Sequence, residues 1–302
     1  MKGIWMFLAA SILVALLAMA LPLGVSSQAL AQESRTWYVD DDGADYPAAD
    51  FTRIQDAVNA ASVGDTIIVY PGTYTENVDV NKDHLTIQSE NGANATIVQA
   101  ANSDDHVFEV MADYVNISGF TVKGAGEHKS GIRLSGSYTD DIENCNISNN
   151  IALNNWYGIH FFCSSNNTLA NNTALDNILG VDLPYSSGNA LTNNIANSNT
   201  YHGITLDCSD DNVLTDNVAS SNNYFGIHLN GGSNNTLTNN MMENNRYNFN
   251  IWSTSVQNID TSNMVNGKPI QYLVGKDNLV IDSSWSIGYL GIVNCTNIMV
   301  RD

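Results

Sequence analysis

The chain has 302 residues, 31 acidic and 11 basic, for a formal charge of −20, and 42 of them are asparagine. Asparagine is a poor helix former and a good turn former, so this content, with only 14 % charged residues, excludes a coiled coil or an ordinary helical bundle. The acidity excludes a nucleic-acid partner, which needs clustered Lys and Arg against its phosphates, while 43 % apolar residues suffice to build a core.

In chain order, Lys2 precedes an uncharged apolar run from Ile4 to Leu23 and then Ala29-Leu30-Ala31, a small-x-small pattern that signal peptidases accept. Residues 1–31 therefore read as an export signal. The run is also long enough to span a bilayer, so an uncleaved anchor is the alternative, and both readings put the rest of the chain outside. Extracellular, surface-bound and periplasmic locations all fit, and no stable membrane insertion is expected once the signal is removed.

Residues 32–65 form an N-terminal cap. Thr52-Arg53-Ile54-Gln55 reads as a capping box, and Phe51, Ile54, Ala57, Val58 and Ala61 recur at helical spacing up to Gly64, which predicts one short helix. From Thr66 the pattern becomes short β-branched runs, Ile67-Ile68-Val69, Val78-Asp79-Val80, Leu85-Thr86-Ile87 and Thr96-Ile97-Val98, broken by Gly, Asn and Asp.

An internal period of 22 or 23 residues then organises the chain. Asn150, Asn172, Asn194, Asn217, Asn240 and Asn263 form one column, and Asn155, Asn177, Asn199, Asn222 and Asn245 a second. Ile147, Leu169, Leu191, Leu214 and Leu237 form a third. Gly131, Gly158, Gly180, Gly203 and Gly226 form a fourth, each opening a Gly-apolar-x-apolar unit. A repeat of this length with short alternating strands and no helix is one turn of a parallel β-solenoid, predicted over residues 66–302; the fold class is all-β. Leucine-rich repeats need a Leu-x-x-Leu-x-Leu pattern that is missing. The asparagine columns read as stacked ladders at sharp corners, where a residue must tolerate a left-handed backbone and bond to buried peptide groups.

These repeats, with Asn-Thr-Leu-x-Asn-Asn at 167–172 and 235–240, resemble the right-handed parallel β-helix repeats of the pectin-lyase-like superfamily, and more narrowly NosD-like proteins and archaeal surface proteins with such domains. Gly64-Asp65-Thr66-Ile67-Ile68-Val69 and Pro71-Gly72-Thr73-Tyr74 are similar to the opening coil of that group. Asn266-Gly267-Lys268-Pro269-Ile270 and Gly288-Tyr289-Leu290-Gly291-Ile292-Val293-Asn294-Cys295 are similar to the insertion that interrupts the NosD-like coils. The resemblance runs from Trp37 to the end and implies the fold. It leaves function open, since the superfamily holds lyases, hydrolases, esterases, epimerases and non-catalytic binding proteins. The NosD likeness implies a link to copper delivery.

Strand alternation selects the site candidates. If Ile159 and Phe161 enter the core, His160 points outward, and Arg133, His160, Asp182, Thr205 and His228 form an outward column. Trp156, Ile178, Tyr201 and Tyr224, two residues before the glycines, form a second, with Tyr247 continuing it. A flat strip of aromatic and hydrogen-bonding side chains suits a polysaccharide or cell-surface glycan, so Trp156, His160, Asp182, Tyr201, Tyr224 and His228 are the candidate ligand-binding residues. The alternative is that these aromatics merely cover the corner ahead of the strand.

No catalytic residue, metal ligand or cofactor is assigned. His160 and His228 lie three coils apart, too far for one ion, which leaves His160 with Asp182 as a two-ligand site. Asp40-Asp41-Asp42 and Asp210-Asp211 read as solvated acidic surface rather than calcium sites. Asp182 and Asp207, one coil apart and offset by two residues, approach the spacing of an inverting carboxylate pair, but the Asp-Pro-His-Asp-type motif of alginate epimerases and the multi-aspartate signature of polygalacturonase-like hydrolases are missing. A lyase base is available in Arg133 alone. Cys163 and Cys208 are two coils apart and Cys145 and Cys295 further, so four free thiols are expected. Asn94, Asn116, Asn146, Asn166, Asn171, Asn234 and Asn294 open glycosylation sequons, those beside the ladders being expected to be buried. The phase breaks after Asn266, another coil begins near Asn294, and an open solenoid end needs a cap, so a capping domain, a partner or further chain is expected there. The leading function is non-catalytic binding of a glycan or other surface partner. A polysaccharide lyase or glycoside hydrolase, and copper handling, are the alternatives.

Overall fold

In the computed structural model, which describes residues 34–302, each short apolar run bounded by Asn or Gly becomes one strand of a coil, and the coils stack in parallel. The predicted export signal, residues 1–31, lies outside the described residues. Three long sheets of ten, eleven and eight strands result, and each coil visits them in that order, for example Asn146–Ser148, Ile151–Leu153 and Tyr157–Phe162. This is a right-handed parallel β-helix of about ten turns. The leucine column pairs rung to rung, from Ile147 with Leu169 to Leu214 with Leu237, and is fully buried. Ala152, Ala174, Ala196 and Ala219 enter from the eleven-stranded sheet, and pairs such as Ile159 and Phe161 from the eight-stranded one. Each Leu or Ile removed from water in this stack contributes roughly 1.5–3 kcal/mol.

The predicted helix is Ile54–Ala60, with Ile54, Ala57 and Val58 buried against the first coil. Its caps are not those expected. Arg53 occupies the N-cap position and makes no side-chain cap, and Thr52 closes no capping box. Instead the Ile54 and Gln55 N–H groups donate to Glu76 Oε1 and Oε2 at 2.8 and 3.0 Å. A buried carboxylate on the next coil thus takes two orphan donors at once and complements the positive helix end. At the other end Lys82 Nζ donates to the Val58, Asn59 and Ala61 carbonyls.

At the corners two tasks that the sequence reading assigned to one asparagine fall to neighbouring residues. The left-handed residues are Asn149, Asn171, Asn193, Asp216 and Asn239, and they precede the ladder residues. The ladder residues are buried, apart from the half-buried Asn245 that ends the second ladder. Beyond the first rungs, Asn150 and Asn155, which accept only the Phe120 and Ala125 N–H groups, each Oδ1 accepts both the backbone N–H and the side-chain amide of the asparagine one coil earlier, as in Asn172 to Asn194 at 3.0 and 3.1 Å, while its own Nδ2 reaches a carbonyl such as Leu169 O. A third ladder, not picked out from the sequence, runs through Asn167, Asn189, Asn212 and Asn235 to Gln257, beside stacked Ser164, Ser186 and Ser209. It begins at Cys145, whose thiol takes the ladder place and accepts the Val115 N–H. Burial pushes that thiol up to about 12.

The glycine column follows from the second ladder. A Cβ on Gly203 would lie 2.7 Å from Asn222 Nδ2 and 2.6 Å from Gly226 O, so no side chain fits. After Asn266 the chain turns back as an antiparallel pair, Met264–Val265 with Lys268–Val274, then resumes parallel pairing through Tyr289–Val293, and Met299–Val300 pairs with Val280–Ile281. All four cysteines are free thiols. Asn166, Asn171 and Asn234 are exposed, contrary to expectation, because they occupy the left-handed positions and not the ladder.

Candidate functional site

Strand alternation turns one residue per rung of the eight-stranded sheet away from the core. Register aligns Asp79, Glu109, Arg133, His160, Asp182, Thr205, His228 and Asn250 as consecutive neighbours. The predicted outward column therefore exists and is longer than the sequence indicated. It is not a flat exposed strip, however: His160, Thr205 and His228 are only 6, 6 and 7 % exposed. Alternation fixes which way a side chain points but not what its neighbours cover. The Tyr157 ring stacks on His160 at 4.4 Å, and Phe225 stacks on His228 at 4.7 Å. The column is a polar floor beneath aromatic rims.

One rim carries the predicted aromatics. Tyr201 and Tyr224 stack on each other at 4.9 Å with planes 4° apart, so this pair offers a ligand its ring edges and hydroxyls more than two open faces. Trp156 stands two coils away, half-buried against His128, with Ile178 between. Tyr247 does not continue this column: it pairs with Phe225 and meets Tyr224 edge-on, because Asn248 replaces the glycine and the last interval is one residue shorter. Arg246 lies over the Tyr224 and Tyr247 rings. The opposite rim was missed from the sequence. It comprises Phe162, with Tyr185 and Tyr138 set against it, and Trp252, which is 75 % exposed beside a cavity of about 410 Å³. Phe162 and Trp252 lie two residues beyond His160 and Asn250, so extending the same alternation by one step would have found them.

Along the floor the polar groups are linked. Arg133 Nε donates to Ser135 Oγ, which donates to Glu109 Oε1, both at 2.6 Å. Arg133 Nη1 donates to His160 Nδ1 at 3.0 Å. A guanidinium only donates, so Nδ1 is the acceptor and the imidazole proton sits on Nε2, 3.7 Å from Asp182 Oδ2. Burial, with Arg133 and His106 nearby, depresses His160 to about 3 and keeps it neutral. Burial and then Asp207 push the Asp182 carboxyl up to about 7. Asp207, one coil on and two residues along, accepts from Asn230 Nδ2 at 2.8 Å. Burial also depresses His202 and His106 to about 4; their Nδ1 atoms accept the Phe225 and Ser130 N–H groups. Two buried hydroxyls, Ser130 Oγ and Thr205 Oγ1, have no hydrogen-bond partner among the described residues, and both belong to this sheet.

The donor sets do not fit copper, which binds imidazole and thiol groups best. His160 has Nδ1 on Arg133 and Nε2 3.7 Å from Asp182, and His202 and His228, with Nδ1 engaged and rings 5.2 Å apart, are joined by no third His, Cys or carboxylate ligand among the described residues. Among the described residues the one cluster of three potential ligands is Asp40, Asp41 and Asp42. Its reading as solvated surface fails at Asp40, which is fully buried and accepts the Tyr46 N–H, while Asp41 and Asp42 accept those of Thr73 and Ala44. These carboxylates serve turns.

A family model described as periplasmic copper-binding protein (NosD) matches residues 58–289. Over 106 residues, 34 % of the chain, the sequence is 39 % identical to a cell surface glycoprotein of Methanothermus fervidus, and covers only 16 % of that protein's length. The pectate lyase Pel9A superposes with a TM-score of 0.64 at 18 % identity, over 87 % of this chain and 78 % of that one. The A-module of the mannuronan C-5 epimerase AlgE6 of Azotobacter vinelandii gives 0.58 at 16 % identity, over 82 and 93 %. At such identities the likeness is one of fold.

Proposed function

The chain belongs to the NosD family, and from that premise we propose that it is an exported surface β-helix that binds an extended glycan along the outer face of its eight-stranded sheet, without acting on it. The observation that carries this reading is the pairing of a hydrogen-bonding floor with aromatic rims on both sides of the eight-stranded sheet. The outward positions in the middle rungs of the ten-stranded sheet are by contrast small and repetitive, such as Thr168, Ala170, Ala190, Thr192 and Thr215. Rungs about 4.8 Å apart match the spacing of successive sugar rings to within their width, and ring edges, phenols and imidazoles suit a ligand with apolar faces and many hydroxyls. The surface location draws support from the resemblance to the cell surface glycoprotein. Copper handling draws none from the side chains present.

A glycan-array screen of the full chain, repeated with Tyr224→Ala and Trp156→Ala, tests the reading. Binding by the parent, weakened roughly fivefold or more by Tyr224→Ala, is expected for loss of one aromatic contact. Trp156→Ala should weaken it less, since Trp156 lies two coils away against His128. Absence of binding to every glycan removes the proposal.

One observation favours a second reading in which the bound polymer is also cleaved or epimerised. The Asp182 carboxyl, near 7, lies 3.7 Å from the neutral His160, whose other ring nitrogen accepts from Arg133, and it both holds and releases a proton at neutral pH. Release of reducing or unsaturated sugars, abolished in Asp182→Asn, would establish it; polymer bound but unchanged after prolonged incubation leaves binding as the function.

A further inference from the structure

Thr205 is the unusual residue of the floor. Its neighbours Ile204 and Leu206 fill the core, so it faces the rims, between Asp182 on one rung and His228 on the next. It is 6 % exposed and its hydroxyl has no partner, although Arg133, His160, Asp207 and His228 on the same face all have one. A buried hydroxyl without a partner is a net cost to folding that valine, of the same shape, does not carry. Nothing in the coil requires threonine: the corners are satisfied by the ladders and the strand by its backbone bonds. A roughly 120° turn about χ1 carries the hydroxyl to the position the methyl group occupies and the methyl group to that of Hβ, so the hydroxyl can be re-aimed without moving the strand.

The surroundings select the ligand chemistry. The charged groups nearest Thr205 are carboxyls, Asp182 on the preceding rung and Asp207 two residues along its own strand. Arg133, the one cation in this part of the floor, is three rungs away and already engaged by Ser135 and His160, with Glu109 close by. A sugar carboxylate here would face the Asp207 and Asp182 carboxyls, with the nearest unengaged cation, Arg246, out on the rim over the Tyr224 and Tyr247 rings, in a protein of formal charge −20. Neutral hydroxyls meet acceptors on the carboxyls and donors on the imidazoles.

Resting on the glycan reading, we propose that Thr205, with Asp182, Asp207 and His228 around it, forms a subsite for a sugar hydroxyl, and that the ligand is a neutral glycan rather than a polyuronate.

The test is binding of the full chain to neutral polymers (laminarin, mannan, dextran, soluble starch) and to polygalacturonate and alginate, with and without calcium, by affinity electrophoresis and calorimetry. The expected result is binding to at least one neutral polymer, weakened about tenfold by Thr205→Val and retained by Thr205→Ser. The thermal midpoint of Thr205→Val should equal or exceed the parent's, which separates a binding role from a structural one. Preference for a polyuronate overturns the inference while leaving the glycan reading intact. So does a Thr205→Val protein that binds the neutral polymer as tightly as the parent. Binding to neither class removes both.

Discussion

The corners and the outer face of the eight-stranded sheet are built on the same coils, yet they treat repetition oppositely. At the corners one residue type recurs for five or six coils, from Asn150 to Asn263 and from Asn155 to Asn245, because each coil sets the same problem of buried peptide groups at a sharp bend. On the outer face, eight consecutive rungs carry Asp79, Glu109, Arg133, His160, Asp182, Thr205, His228 and Asn250, with little repetition. Folding sets no rung-specific problem there. The lesson is that in a solenoid periodicity reports structure, and a column that refuses the period is where function is to be sought.

The largest expected effect breaks the comparison on its structural side. Asn194→Ala removes the acceptor of two Asn172 N–H groups and the donor to Leu169 O inside a fully buried corner. At about 1–3 kcal/mol for each of the three buried groups left unpaired, the loss is at least about 3 kcal/mol, a fall of roughly 10 °C or more in thermal midpoint. The adjacent Asn193 is exposed and left-handed. Asn193→Ala should cost only about 1 kcal/mol and Asn193→Gly almost nothing. Equal losses at 193 and 194 would contradict the division of labour within the pair.

Next in size is a pH-dependent effect on the face itself. Asp182 is raised to about 7 by burial and Asp207, so the stability this carboxyl allows is fully present below about pH 4 and is lost as pH rises through 7. Asp182→Asn should therefore match the parent near pH 4 and exceed it progressively up to pH 8, by up to about 4 kcal/mol. His160, depressed to about 3, has the opposite sign: its contribution is present above pH 6.5 and falls away as pH drops through 3. Urea titrations at pH 4, 6 and 8 check both, and a gap that stays constant with pH would remove the buried-carboxyl account.

The smallest stability effect is expected at Trp252. Its side chain is three-quarters exposed, so Trp252→Ala should change stability by less than about 0.5 kcal/mol, while weakening any ligand that reaches the end of the rim. Melting curves and binding isotherms of that variant sharpen the contrast between residues that hold the coil and residues that face outward.

Much of this fold was legible because its physics is repetitive. Two ladders, the leucine column and the glycine column could be read by aligning the chain on itself. The third ladder was harder, since it starts at Cys145, ends at Gln257 and has Gly188 and Asp211 where its other rungs have a second asparagine. The helix caps were invisible because Glu76 and Lys82 act across more than twenty residues in coils that do not follow the period. Of the candidate site, alternation gave the outward direction of His160, Asp182 and His228. It could not give their burial, which depends on where the Tyr157 and Phe225 rings come to rest, nor the second rim, which the reading stopped one step short of.

Hydrogen–deuterium exchange of the full chain with and without a bound polymer tests the central claim most directly. The account predicts slowed exchange in Tyr157–Phe162, Leu179–Pro184, Ile204–Asp207 and Phe225–Asn230, with the ten- and eleven-stranded sheets unchanged. Protection confined to either of those two sheets would contradict it.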